Sequence, residues 1–346
     1  MIVMHLESGL GNQMLDYADL LAARKSNPGK EIYLENLLYS LPEVDKTISM
    51  WNGYELDKVF GINEPNFRSL FSEKEWSELL RLVERSEFWK HGWTFSKAIC
   101  EAYQAITGIE MTGINRHWYD QPTMPPKSRI LENLKKSQIG YLVKRTAYRL
   151  GDGVLVNNVE LSNTLFMDLP DNCLSGHWLL FHLKRSGIEM IEDEIRNAFK
   201  FPNLDENNLR FVETIANKNT VSIHARRGDM LSANGYCYKY GFFKRSVEYI
   251  KKHVDNPLFL FFTNEGSVEW CKSNLHVFGL SEKKDCIQYV TWNTGVDSYR
   301  DMQLMSLCNH NIITGSSFGW WGAFLNQHKD KITCSPDIRI NTTHSF

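Results

Sequence analysis

Two adjacent arginines, Arg226 and Arg227, stand where the run Val221-Ser222-Ile223-His224 meets a glycine, Gly228. The run is rich in β-branched residues and alternates as a buried strand does. In α/β proteins, ligands sit outside the carboxyl ends of strands. A guanidinium there presents a flat fork of donors that fits a phosphate. The segment therefore reads as an anion grip on a parallel sheet. The plainer alternative is a solvated turn, with Arg227 and Asp229 forming a local ion pair worth little.

Three further strand ends carry polar side chains in the same half of the chain. They are Thr263-Asn264-Glu265, Thr291-Trp292-Asn293 and Gly315-Ser316-Ser317-Phe318. Ser316 and Ser317 suit a helix N-cap. Their hydroxyls and the next N–H groups also suit a phosphate. Glu265 offers a carboxylate that can accept two hydrogen bonds from the N1–H and amino group of guanine. As structure alone, Glu265 and Asp301 would be acids favoured by a helix dipole. Together the set suits a nucleoside diphosphate. No Asp-x-Asp occurs, so the usual carboxylate pair for a nucleotide-bound divalent ion is missing. No metal is expected, and arginine and helix N–H groups would neutralise a departing diphosphate.

A second glycine-rich turn, Ser8-Gly9-Leu10-Gly11-Asn12-Gln13, follows the apolar run Ile2–Leu6. It resembles the start of a dinucleotide fingerprint, but Met14 stands where the third glycine would be. The turn reads instead as one where the backbone approaches a ligand, with Asn12 supplying donors. Glu7 beside it is a candidate base.

The elements that must position these residues alternate. A strand at Ile2–Leu6, a helix with Met14, Tyr17, Ala18 and Leu21 on one face, and a strand at Ile32–Leu34 make a βαβ opening. The stretch from about 64 to 150 is helix-rich and irregular, with a basic run from Lys127 to Arg149. A further strand is expected within Asn172–Trp178, then a helix over Ile188–Phe199. From 219 onward, strands at 221–224, 258–262, 287–290 and 311–313 are each followed by a helix, at 241–253, 268–275, 298–308 and 318–327. Ile332-Thr333 adds a last strand. This is the pattern of a doubly wound parallel sheet. Trp320 and Trp321 read as core.

With 346 residues, the chain is long enough for two domains. Its net charge of −2 argues against nucleic acid as a partner. The 7 cysteines form no C-x-x-C pair and read as reduced, mostly buried thiols. No signal peptide or spanning helix is recognisable, so a cytoplasmic protein with at most peripheral membrane contact is expected.

Three of these segments, in order, resemble the α-1,2-fucosyltransferases of the bacterial family 11 type. They are Gly9-Leu10-Gly11-Asn12-Gln13-Met14, His224-Ala225-Arg226-Arg227-Gly228-Asp229, and Asp301 through Gly322. Departures are Met230 for tyrosine, Thr263-Asn264-Glu265 for Ser-Asp-Asp, and glycines at 315 and 319. The resemblance implies a GT-B-like α/β fold, two Rossmann-like domains facing a central cleft. An acceptor-side domain would span 1–215, with a helical insertion about 64–150. A GDP-fucose-binding domain would span 216–346. The implied reaction is inverting, metal-independent transfer of L-fucose from GDP-β-L-fucose to O2 of a terminal β-galactoside, as in O-antigen or capsule assembly. Arg226 would hold the β-phosphate, with His224 and Glu265 near guanine. Ser316, Ser317 and Phe318 would line the diphosphate and fucose. Gly9, Gly11, Asn12, Arg227, Asn264 and Asp301 complete the expected donor site. Arg227 and Asp229 could also be a buried pair that sets Arg226. Asp229 and Glu7 are the candidate bases, beside a mechanism that needs none. The alternatives are transfer to O6 or to a protein hydroxyl, and a non-catalytic GDP-sugar or glycan-binding protein.

Overall fold

A computed structural model of the chain describes residues 1–47, 52–114, 134, 137–140, 142–143, 146, 169–175, 191–336 and 344–345. The side chains of 45–47, 229, 232–233 and 344–345 lie outside that description. So do most of the basic run from Lys127 to Arg149 and with it the latter part of the expected 64–150 insertion. The residues fall into two compact units. One is drawn from Met1–Met124 and Val159–Pro202, the other from Pro125–Asn158 and Asn203–Phe346.

The first unit holds strands β1 (Ile2–His5), β2 (Ile32–Glu35), β3 (Thr112–Gly113) and β4 (Cys173–Ser175). They form a parallel sheet in the order β2-β1-β4-β3. Its described helices are α1 (Leu10–Ser26), α2 (Pro42–Thr47), α3 (Leu56–Phe60), α4 (Glu73–Arg85), α5 (Phe95–Thr107) and α6 (Glu192–Ala198). Ser72 and Glu75 close a capping box at the start of α4, satisfying N–H groups that the helix itself cannot. Trp76, Leu79 and Val83 recur at helical spacing on its buried face. They join Val3, Phe67, Phe88, Phe95 and Leu174 in one apolar core.

The second unit holds β5 (Asn219–His224), β6 (Pro257–Phe262), β7 (Cys286–Val290), β8 (His310–Ile312), β9 (Thr333–Ser335) and β10 (His344–Ser345). All are parallel, in the order β10-β9-β8-β5-β6-β7. Counted from β5, this is the 3-2-1-4-5-6 order of a doubly wound sheet. The helices are α7 (Glu206–Ile215), α8 (Leu231–Lys239), α9 (Phe242–His253), α10 (Val268–Ser273), α11 (Leu275–Phe278), α12 (Tyr299–Leu307) and α13 (Ser317–Leu325). Strand β6, Pro-Leu-Phe-Leu-Phe-Phe, is buried on both faces, as a central parallel strand requires.

The structure has the α/β class with parallel sheets that the strand–helix alternation implies. Differences are local. The expected helix 268–275 breaks at Asn274 into α10 and α11. Helices α7 and α8 are additional to the elements expected from the sequence; α7 has apolar residues at Leu209, Val212 and Ile215, while α8 has no clear apolar period. The glycine turn is shorter than expected, because α1 already begins at Leu10. The left-handed residue is Ser8, at φ 66°, while Gly9 at φ −81° only precedes the helix. Gly11 is buried within α1.

Candidate functional site

In a doubly wound sheet the chain leaves β5 in opposite directions toward β6 and β8. The crevice at that switch point is where ligands bind. The segments that follow β5, β6 and β8 do meet there. His224 ends β5 fully buried, and its ring lies 5.8 Å from that of Phe318. A Cβ on Gly319 would stand 2.3 Å from His224 Nδ1, so only glycine lets α13 approach the strand this closely. That glycine is one of the departures from the family pattern. Burial and the neighbouring Arg226 charge hold the His224 imidazole down at about 3, so it is neutral. Its Nδ1 is buried without a hydrogen-bond partner, as are Asn234 Nδ2 and Thr314 Oγ1. Asn234 Oδ1 accepts from the Gly315 N–H at 3.2 Å. Orphaned buried polar atoms beside a switch point mark a place for a ligand or ordered water.

Arg226 follows β5 partly buried. Its carbonyl accepts from Tyr238 Oη at 3.1 Å. Arg227 points elsewhere. Its guanidinium lies 3.3 Å from the centroid of Trp270 and 5.1 Å from that of Tyr238. Its N–H donates to Asn264 Oδ1 at 2.9 Å. Gly228 takes φ 51°, and a Cβ there would meet Asn264 Nδ2 at 2.3 Å. Asn264 thus fastens the end of β6 to the arginine turn, and Thr263 Oγ1 adds a 2.9 Å bond to the Ala225 carbonyl. The Arg227 brace is aromatic: Trp270 and Tyr238 hold the guanidinium. The Asp229 side chain lies outside the described residues.

Ser316 sits at the N-cap of α13 without a side-chain capping bond, and Ser317 is the first helical residue. The first N–H groups of α13 are therefore not capped by the Ser316 hydroxyl. Glu265 is exposed in the turn before α10, three residues ahead of the helix. Asp301 lies in the first turn of α12. Burial, partly offset by a 2.9 Å bond from Asn293 Nδ2, raises its carboxyl to about 7. Asn293 in turn pairs with Asn208 of α7, so Asp301 belongs to a polar group at the β7 end. Trp320 and Trp321 are core.

The first unit carries a different group at the end of its central strand β1. His5 is buried, and its Nδ1 bonds Glu35 at the end of β2. Its ring stacks on Phe95 at 4.0 Å. Burial would lower its proton affinity, but Glu35 and Glu7 outweigh that and push it up to about 10. Glu7 is partly exposed and accepts from Trp93 Nε1 at 2.7 Å. Its N–H donates to Asp16 Oδ2 at 3.2 Å. Burial and Glu7 hold the Asp16 carboxyl well above its usual range. Gln13 Nε2 donates to the carbonyls of Ser8 and Gly53, at 3.0 and 2.8 Å. Asn12 N–H donates to the Gly9 carbonyl at 2.9 Å.

Sequence reasoning missed Tyr238, Asn234 and Trp270 in the second unit, and His5, Glu35 and Trp93 in the first. Only His5 carried a signal, as a polar residue inside an otherwise apolar strand. The rest meet the site through contacts far apart in sequence.

The second unit is a doubly wound α/β unit with polar side chains gathered beyond the carboxyl ends of its strands, where ligands of such sheets bind. The model of glycosyl transferase family 11 matches residues 166–339, and the chain belongs to that family. An α-1,2-colitosyltransferase of Escherichia coli is 30% identical over 151 residues, 42% of this chain and 49% of that protein. The O-antigen biosynthesis glycosyltransferase WbnK of Escherichia coli is 28% identical over 233 residues, 60% of this chain and 74% of that protein. The chain thus spans about half the length of the colitosyltransferase it matches. The crystal structure of fucosyltransferase NodZ from Bradyrhizobium aligns at TM-score 0.45 and 13% identity, covering 94% of this chain and 92% of that one. Among the described residues, no helix is long and apolar enough to cross a membrane.

Proposed function

We propose that this glycosyltransferase moves L-fucose from GDP-β-L-fucose to O2 of a terminal β-galactoside, with inversion and without a metal ion. The observation that carries the reading is the second unit's switch point, where Arg226 and the start of α13 follow adjacent strands. As the sugar detaches, charge grows on the diphosphate. Arg226 and the N–H groups at Ser316, Ser317 and Phe318 neutralise it. The neutral His224 and the exposed Glu265 are the guanine-side groups, and Asn264 and Arg227 brace the turn that carries Arg226. Asp301, in the first turn of α12, completes the second unit's set. Asp229 and Glu7 are the candidates for taking the hydroxyl proton. Names of relatives support the α-1,2 linkage: one is an α-1,2-colitosyltransferase and another a galactoside α-(1,2)-fucosyltransferase from Plecturocebus brunneus. The colitosyl name favours a second reading, in which the transferred sugar is colitose.

The deciding experiment offers GDP-fucose and a colitose donor, each with a β-galactoside, and determines the linkage of any product. A fucosyl α-1,2 product supports the proposal. A colitosyl product moves it to the second reading. An α-1,6 product, or GDP binding without transfer, overturns it.

A further inference from the structure

The carboxylate of Glu7 stands at the carboxyl end of β1, between neighbours β2 and β4. Two side chains converge on its Oε2. Trp93 Nε1 donates to Oε2 at 2.7 Å, and His5 Nε2 faces the same oxygen at 3.8 Å. That Nε2 is buried and has no hydrogen-bond partner. His5 cannot turn away. Its Nδ1 is bonded to Glu35, whose other oxygen accepts the Leu37 N–H, and Phe95 covers its face.

The backbone on both sides of Glu7 is strained. Ser8 takes φ 66° and Trp93 takes φ 61°, left-handed values that bulky residues avoid. Ser8 is kept there by bonds to its carbonyl from Gln13 and from Tyr39 Oη at 2.6 Å. The Trp93 ring packs edge-on against Phe88 at 5.2 Å. Strain of this kind persists where the surroundings enforce it, and it gathers at ligand sites.

Charge says what the ligand is. Glu7 and Glu35 are the carboxylates of this corner, with His5 as the cation between them. A diphosphate would be repelled. A neutral sugar would not be. Its hydroxyls donate to a carboxylate in short, charge-assisted bonds, and its C–H face packs on an indole.

We propose that Glu7 and Trp93 form a subsite for a neutral hexose, the terminal sugar of the acceptor glycan, with His5 and Glu35 as positioning residues beneath it. The identity of that hexose as an acceptor rests on the transfer reading above. Hydroxyl binding by this group does not.

The test uses the whole chain. Methyl β-galactoside binding is followed by saturation-transfer NMR and GDP binding by calorimetry. Glu7→Gln should weaken galactoside binding about ten-fold or more. Trp93→Phe, which keeps a ring but loses the N–H, should weaken it by a smaller factor. GDP affinity should stay within about two-fold in both. Galactoside binding should also fall as pH rises past about 10, where His5 loses its proton, and His5→Gln should remove that limb. The titratable groups facing His5 are Glu35 from β2, Asp16 from α1 and Glu7. Tyr39, which faces Glu7 and Asp16, is pushed by burial well above its usual range and stays protonated. Unchanged galactoside binding in folded Glu7→Gln overturns the proposal, as does a wild type that binds GDP but no galactoside. If the wild type binds galactoside through Glu7 yet transfers no sugar, the transfer reading fails and the subsite stands.

Discussion

The two units end their central strands in a buried histidine, and the two histidines are in opposite states. His5 closes β1 among acids and carries a proton up to about pH 10. His224 closes β5 beside Arg226 and is neutral down to about pH 3. Burial acts the same way on both, disfavouring charge. The neighbours decide the outcome. One strand end is therefore acidic with a single buried cation, and the other is cationic with a neutral ring. On the two readings proposed above, the same topological position serves a polyol in the first unit and an anion in the second.

The largest effect expected from this contrast is at Arg226. Arg226→Ala should lose ~100-fold or more in kcat while the protein stays folded, by analogy with a lost oxyanion donor. Turnover near that of the wild type would remove the anion from the second unit's end and with it the contrast. Next comes the close approach behind it. Gly319→Ala puts a methyl group into the His224 ring, which should cost about 1–3 kcal/mol of stability through overpacking. Urea unfolding measures this, and an unshifted midpoint would mean that α13 has room to move.

The aromatic brace should matter less. Trp270→Leu strips one face of the Arg227 guanidinium, a contact of about 1 kcal/mol. Calorimetry should show GDP affinity falling by less than ten-fold. A drop as large as that of Arg226→Ala would make Arg227 a ligand-binding group in its own right.

The smallest effect is the most direct reading of the comparison. His5 has a raised pKa, so its contribution is fully present below pH 6.5 and is lost as pH rises toward about 10. His224 has a depressed pKa, so the unfolded chain binds the extra proton, and stability is lost as pH falls from 6.5 toward about 3. Urea midpoints against pH, wild type minus variant, should show an alkaline slope removed by His5→Gln and an acid slope removed by His224→Gln. Slopes on the same side of neutrality would end the idea of opposed strand ends.

Much of this was legible in the chain itself. Alternation of β-branched runs with helical stretches fixed the parallel sheet of the second unit, because strands buried on both faces must be continuously apolar. Motif spacing placed Arg226, Asn264 and Ser316 at strand ends, and the structure has them there. A bracing role for Arg227 was legible, but its partners Trp270 and Tyr238 were not. Adjacent arginines look alike in sequence, and only folding sends one toward Trp270, forty-three residues on. Nor was the Glu35–His5–Glu7 group, which depends on β1 and β2 lying side by side.

Local pattern suffices for elements because hydrophobic period and turn chemistry act over a few residues. Charge states do not work that way. Whether an imidazole keeps its proton depends on burial and on carboxylates or guanidinia brought within a few ångströms from distant strands. The sequence by itself determined where the strands end and which side chains stand there. Only the tertiary structure decided which of those side chains are charged, and toward what.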